Sequence, residues 1–226
     1  CVLRCGRIAR VESGKWKTPE HEGSEYESIC AFTFFVLNDD MDAAVHASWL
    51  CNEYGLDTIS TGAVIAFAMD CHDQGMLSES EADGLDLTWG NTETVVELVR
   101  RIASKKGIGR TLSEGTRRAS QEIGKGSEKL SVEIKGLEGP AHDSRSGKTH
   151  AVMYGTVNRG MCHIHFIEGM AFDSGKIDFG LIPYGVPDPQ DVDRFAEEGK
   201  GRLVKILQDF GILPEIIGIC KFYLYS

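Results

Sequence analysis

The strongest constraint in this sequence is a series of apolar segments with helical spacing, each closed by a glycine. Met41, Ala44, Val45 and Trp49 recur at i, i+3, i+4 and i+8, the period that lines side chains along one face of an α-helix. Asn38 and Asp39 precede them, with side-chain oxygens that can accept the free N–H groups of a first turn. Gly55 follows at the position where helices commonly end in left-handed backbone. A second helix is predicted from near Ser60 to Gly75. Its stretch Ala63 to Met69 is apolar all round, which predicts burial on several sides. A third runs from about Glu93 to Lys106, with Val95, Val99 and Ile102 as its stripe and Gly107 as its stop. A fourth opens on a capping box, Thr111 with Glu114 three residues later, and ends near Gly124.

The rest of the chain is less regular. Ser28 to Leu37 is apolar and ambiguous, and Glu12 to Ser24 reads as a polar surface loop. The Gly-, Ser- and charge-rich stretch 125–150 marks a domain boundary and holds a strand candidate, Leu130 to Ile134. His150 to Val157 and Met161 to Ile167 read as strand-like or irregular, and 173–190 as a Gly/Pro-rich loop. Pro189 suits the first position of another helix, carried on through Val192, Phe195, Leu203, Leu207 and Phe210, which Gly199 and Gly201 can divide in two. Pro214 opens a last short helix reaching Cys220. The expectation is a mainly α protein of two irregular helical domains, residues 1–132 and 133–226.

Charge and cysteine usage narrow the function classes. Acidic residues outnumber basic ones by 34 to 24, for a net charge of −10, so the basic stripe of a nucleic-acid-binding surface is missing. No apolar run reaches the ~18 residues of a membrane span. Seven cysteines, an odd number with no secretory signal pattern ahead of them, argue for reduced thiols and metal ligands in a reducing, cytoplasmic setting.

Four groups of residues can carry chemistry. Cys1 and Cys5 are close enough to share one metal or cluster; the competing reading is a chance pair of small hydrophobes. Met161-Cys162-His163-Ile164-His165 puts two imidazoles on one face if extended, suited to a metal or to acid–base work; the plainer reading is a core histidine beside an exposed one. Glu25-Tyr26-Glu27 leads into an apolar segment, where a carboxylate gains a raised pKa and can act as a base; two solvated glutamates are the local alternative. Asn52-Glu53-Tyr54-Gly55-Leu56-Asp57 and Glu215-Ile216-Ile217-Gly218-Ile219-Cys220 resemble each other. Each has a polar residue, a glycine three positions on, then an aliphatic and a ligand-capable residue, at a predicted helix end.

Together these residues resemble the tungsten-containing aldehyde:ferredoxin oxidoreductase family. The matching segments are CVLRCGR (1–7), EYES (25–28), CNEYGLDTISTG (51–62), WGNTE (89–93), LEGPAHDSR (137–145) and YGTVNRGMCH (154–163), in family order. The resemblance implies two molybdopterins holding one tungsten (or molybdenum) ion beside a [4Fe–4S] cluster. It implies a fold of two helical domains, of which this chain would be a piece without the family's N-terminal sheet domain, the first cluster cysteine and the C-terminal stretch. By residue, Cys1, Cys5 and Cys220 match cluster ligands. Asn52, Gly55, Leu56 and Asp57 match one pterin motif, and Glu215, Gly218, Ile219 and Cys220 the other. Glu27 matches the active-site glutamate and His163 the histidine near the substrate. Asn52 and Glu215 stand where the family has Asp, and Ile219 where it has Leu. Cys30, three residues after Glu27, raises the question of a subfamily with different chemistry.

The implied reaction is oxidation of a small aldehyde to its carboxylic acid, with electrons leaving through the cluster to ferredoxin or another carrier protein. The alternatives are aryl-CoA or carboxylate reduction with the same cofactor, and a non-enzymatic metal-binding or inactive fragment using Cys1, Cys5, Cys162, His163 and His165.

Overall fold

The computed structural model describes residues 3–164, 169, 172–175 and 180–225. Cys1 and His165 lie outside the described residues. The chain divides into two compact units, Cys5–Ala141 and, with the stretch before Cys5, His142–Ser226.

The first unit begins with a short antiparallel pair, β1 (Ile8–Ala9) and β2 (His21–Glu22), with Ile8 opposite Glu22. The loop between them is closed by the Val11 N–H donating to Thr18 Oγ1 at 2.9 Å. It is pinned to the helices by the Trp16 indole N–H on Asp40 at 3.0 Å. Helix α1 (Tyr26–Phe32) forms where the sequence was ambiguous, because the Glu25 carboxylate accepts the Glu27 N–H and caps its first turn. Helices α2 (Met41–Tyr54) and α3 (Thr58–Asp73) follow, capped by Asp40 and Asp57. Asn38 helps differently from expectation: its side-chain amide donates to Phe32 O and its Oδ1 accepts from the Asp40 N–H, so it shapes the turn that delivers the true cap. Gly55 takes up left-handed backbone at φ 70°, as its position predicts. Helix α4 (Thr92–Ser104) buries Val95, Val99 and Ile102.

The predicted fourth helix is two. Helix α5 (Ile108–Leu112) starts early because Asp83 accepts the Ile108 N–H, and Gly115 at φ 81° breaks the chain before α6 (Thr116–Ile123). The Thr111–Glu114 capping box is therefore not formed: Thr111 lies inside α5 and donates to Glu122. Helix α6 is capped from a distance instead, by buried Glu138 accepting the Thr116 N–H at 2.7 Å. Glu138 belongs to the hairpin β3 (Glu133–Ile134) and β4 (Leu137–Glu138), which falls within this unit. Ala31, Phe32, Leu50, Ile65, Met69, Leu98 and their neighbours form one continuous apolar core.

In the second unit His150 to Val157 is not strand-like. It belongs mostly to helix α7 (Lys148–Thr156), whose buried residues His150, Met153 and Tyr154, with Val157 just beyond, follow a helical period. Beneath it Lys200 donates to Thr149 Oγ1 and Asp173 Oδ1 at 3.0 and 3.2 Å, a charge pair out of solvent that leaves Asp173 Oδ2 buried without a hydrogen bond. Pro189 begins only a single turn. The helix proper is α8 (Lys200–Gly211), starting after Gly199 at φ 76°, followed by α9 (Leu213–Ile217). Met153, Val157, Phe172, Leu203, Val204 and Leu207 make a second core. The structure is helical, as the sequence predicts, and no described helix is long and apolar enough to cross a membrane.

One contact in the first unit leaves no room for adjustment. A Cβ on Gly62 of α3 would stand 2.5 Å from Ala31 O and 2.6 Å from Ala31 Cβ of α1. Gly62→Ala should therefore cost about 1–3 kcal/mol through overpacking, read as a lower urea midpoint at unchanged slope; an unchanged midpoint would contradict the contact.

Candidate active site

Glu27 stands in the first turn of α1. Its residue is 4% exposed. One carboxylate oxygen accepts the Tyr26 hydroxyl at 2.9 Å and the other the Ala141 N–H at 2.8 Å. Burial pushes its pKa up and the Glu25 charge adds to this, while the Ala141 hydrogen bond pulls it down. The two-solvated-glutamates alternative is thus divided: Glu25 is exposed and serves as a cap, whereas Glu27 is buried. The position follows from α1 lying on α3, where Gly62 admits Ala31 and Ser28 Oγ meets Thr58 Oγ1 at 2.7 Å. Cys30, half-buried on the same helix, has its thiol pKa raised by burial and by the Glu27 and Glu25 charges.

The two glycine turns have one geometry. In the first, the Gly55 N–H donates to Asn52 O at 3.3 Å and the Leu56 N–H to Cys51 O at 2.8 Å. In the second, the Gly218 N–H donates to Glu215 O at 3.3 Å and the Ile219 N–H to Pro214 O at 2.8 Å. Both glycines are left-handed, at φ 70° and 72°, and a Cβ on either would meet open space. Asn52, Gly55 and Asp57 are exposed in the first turn; Glu215, Gly218, Ile219 and Cys220 are exposed in the second. Asp57 spends one oxygen on the Ser60 N–H at 2.8 Å, starting α3. Glu215 pairs with Lys221 at 3.0 Å.

Apart from half-buried Cys30, the described cysteines fall into two classes. Cys5 and Cys220 are exposed free thiols. Cys51 and Cys71 are buried, and burial pushes their thiols up to about 12 and about 11, which keeps them protonated and inert. Cys162 is buried and takes an Arg159 guanidinium N–H on its sulfur at 3.4 Å.

His163 sits in a histidine cluster within the second unit. Its ring centroid is 4.7 Å from that of His142, which lies 6.1 Å from that of His150. Burial, then the neighbouring His142, His150 and Arg159, pushes His163 down to about 4. It is therefore a neutral imidazole at neutral pH. His150, 2% exposed and stacked edge-on against Tyr154, is pushed down to about 4 mainly by burial. His142 and His150 were not singled out from the sequence. No local signal marks them: His150 lies on helix α7 and His142 ahead of it, and neither interval to His163 follows a regular period.

Comparison with known proteins identifies the family. Residues 1–225 match the family model described as aldehyde ferredoxin oxidoreductase, domains 2 & 3. The chain belongs to the aldehyde ferredoxin oxidoreductase family. It is 34% identical over 98% of its length to a tungsten-containing aldehyde ferredoxin oxidoreductase of Pyrococcus furiosus, and covers 34% of that protein. The corresponding protein of Thermococcus kodakarensis is 33% identical over the same shares. An aliphatic sulfonate oxidoreductase, WOR-like subunit, of Pyrococcus furiosus is 32% identical over 65% of this chain and 24% of that protein. The chain thus spans about a third of the length of the tungsten-containing relatives. Among solved structures, the active site complex BamBC of benzoyl coenzyme A reductase, in complex with 1,5-dienoyl-CoA, shares the fold. Its TM-score is 0.72 at 22% identity, over 96% of this chain and 35% of that one.

Buried His150 carries a stability signature. The folded state resists protonating His150 between the ordinary histidine value near 6.5 and about 4, so the unfolded chain binds more protons there. Stability should fall as pH drops through that window, by up to about 3 kcal/mol. His150→Phe, which keeps a ring against Tyr154, should flatten the slope in urea titrations at pH 7 and pH 5. An unchanged slope would contradict a buried neutral His150.

Proposed function

We propose that the protein containing this chain is a tungsten–bispterin oxidoreductase that oxidises an aldehyde with water to a carboxylic acid. The observation that carries the reading is buried Glu27, a carboxylate with raised pKa, on the segment where the family resemblance puts its active-site glutamate. A pterin-held metal fits the residues present. The two matched glycine turns leave open space against their backbones, and exposed thiols at Cys5 and Cys220 are soft donors suited to an iron–sulfur cluster. Asn52, Gly55, Leu56 and Asp57 would hold one pterin. Gly218, Ile219 and Cys220 would hold the other, with Glu215 shared between that turn and Lys221. Cys1, Cys5 and Cys220 would ligate the [4Fe–4S] cluster. When bound, these groups supply Lewis acidity and the passage of two electrons, one at a time, to ferredoxin or a similar carrier.

The chain's own residues manage the proton and the substrate oxygen. The overall change is aldehyde plus water to acid, two protons and two electrons. Ionised Glu27 accepts the proton of the water that adds to the aldehyde carbon. The Ala141 N–H and Tyr26 hydroxyl fix its two oxygens, so it does not have to be reoriented before the transfer. His163, neutral at working pH, donates a hydrogen bond to the carbonyl oxygen without adding a charge among the buried imidazoles. Burial makes both interactions stronger than they would be in water.

The test uses the full-length protein. Tungsten and iron should be present together with aldehyde-dependent reduction of ferredoxin or a viologen dye. Because the base must be ionised, activity should fall as pH drops through a value above the ordinary glutamate range. Glu27→Gln should lower kcat by about 10²–10⁴-fold and abolish that limb. A protein containing zinc and neither tungsten nor molybdenum would sink the reading. A tungsten protein that reduces aryl-CoA thioesters or carboxylates and ignores aldehydes would overturn the reaction while keeping the cofactor.

A further inference from the structure

Lys221 directly follows the cysteine of the second glycine turn, and its residue is only 8% exposed. A lysine so placed must pair, because an isolated ammonium out of water is costly. Its Nζ reaches Glu215 Oε1 at 3.0 Å and donates to the backbone carbonyl of Ile164 at 3.1 Å. Ile164 is the neighbour of His163. Glu215 opens the motif that ends at Cys220. One ammonium therefore joins, within a single unit, the loop carrying the substrate-side histidine and the turn carrying the cluster- and pterin-side cysteine.

Backbone geometry makes the link stiff at one end. The Gly218 and Ile219 N–H groups are fixed on Glu215 O and Pro214 O, and the Tyr223 N–H is fixed on Cys220 O at 3.1 Å. Cys220 and Lys221 are therefore held by hydrogen bonds on both sides. The other end is irregular: residues 161–164 belong to no strand or α-helix, so the backbone of His163 depends on contacts made from outside its own segment. A charge-assisted bond to a carbonyl beside it is such a contact, and stronger than a neutral one.

We propose that Lys221 is a positioning residue, a strut between Glu215 and the Ile164 carbonyl that sets where His163 stands relative to the Cys220 turn. This rests on the tungsten-oxidoreductase reading for the roles of His163 and Cys220; the strut itself does not. It also gives a use to the glutamate that replaces the family's aspartate at position 215: the carboxylate that would face a pterin is here engaged by Lys221.

The experiment compares wild type, Lys221→Met and Lys221→Arg in the full-length holoenzyme. Lys221→Met should keep its tungsten and iron content and its aldehyde KM, lose about a hundredfold in kcat, and show faster hydrogen–deuterium exchange at the 162–164 amides. Lys221→Arg should restore most of the kcat, since guanidinium can make both bonds. If the methionine variant does not fold, Lys221→Gln, which keeps a donor without the charge, carries the same comparison. Unchanged kcat, unchanged exchange, or loss of tungsten and iron in place of loss of rate would each overturn the strut. If wild type holds no tungsten, the functional reading fails, and the exchange comparison still decides the strut by itself.

Discussion

The first unit depends on how closely α1 approaches α3. Gly62 lets the backbone of Ala31 sit where any Cβ would be, and the two helices carry both ends of the candidate chemistry in this unit: Glu27 at the start of α1, and the Asn52–Asp57 turn leading into α3. Moving the helices apart would admit water to Glu27, whose raised pKa has burial as its largest cause. Gly62, the last residue of the segment CNEYGLDTISTG, thus has a packing role that extends to the burial of Glu27.

The second unit solves a related problem with charge and rings. Lys200, Asp173 and Thr149 bond to one another beneath α7, and the helix they support places His150 beside His142, which in turn lies against His163. Burial keeps His150 and His163 neutral, since an added proton on either would be poorly solvated and near another ring. In both units burial shifts titration toward the uncharged form, of a carboxyl in one and of imidazoles in the other. Exposed thiols and open glycine turns, by contrast, lie at the surface of each unit, where soft donors and bare backbone are accessible to a large ligand.

Features with local causes were legible in the sequence. Gly55 and Gly218 take the left-handed turns their positions predict, and the likeness between the two motifs proves to be one hydrogen-bond pattern made twice. Features with distant causes were not. Glu27 takes its fixed orientation from Ala141, far along the chain, and α6 takes its cap from Glu138 in a hairpin, so the local Thr111–Glu114 pattern pointed to the wrong start. Helix α7 was hidden because its core-facing residues include a histidine and a tyrosine, and flanking glycines suggested irregular chain. Lys221 carries no local signal, because nothing nearby in sequence tells that the Ile164 carbonyl will reach it.

The central claim is that packing, before any cofactor chemistry, makes Glu27 a proton acceptor tuned above the ordinary carboxylate range. Difference infrared spectroscopy of wild type against Glu27→Gln, titrated through the acidic range, isolates the carbonyl stretch of that one carboxylic acid. The account predicts a protonated Glu27 band that persists above the pH at which solvated glutamates have ionised. A band that disappears with the solvated glutamates, or below them, would contradict it.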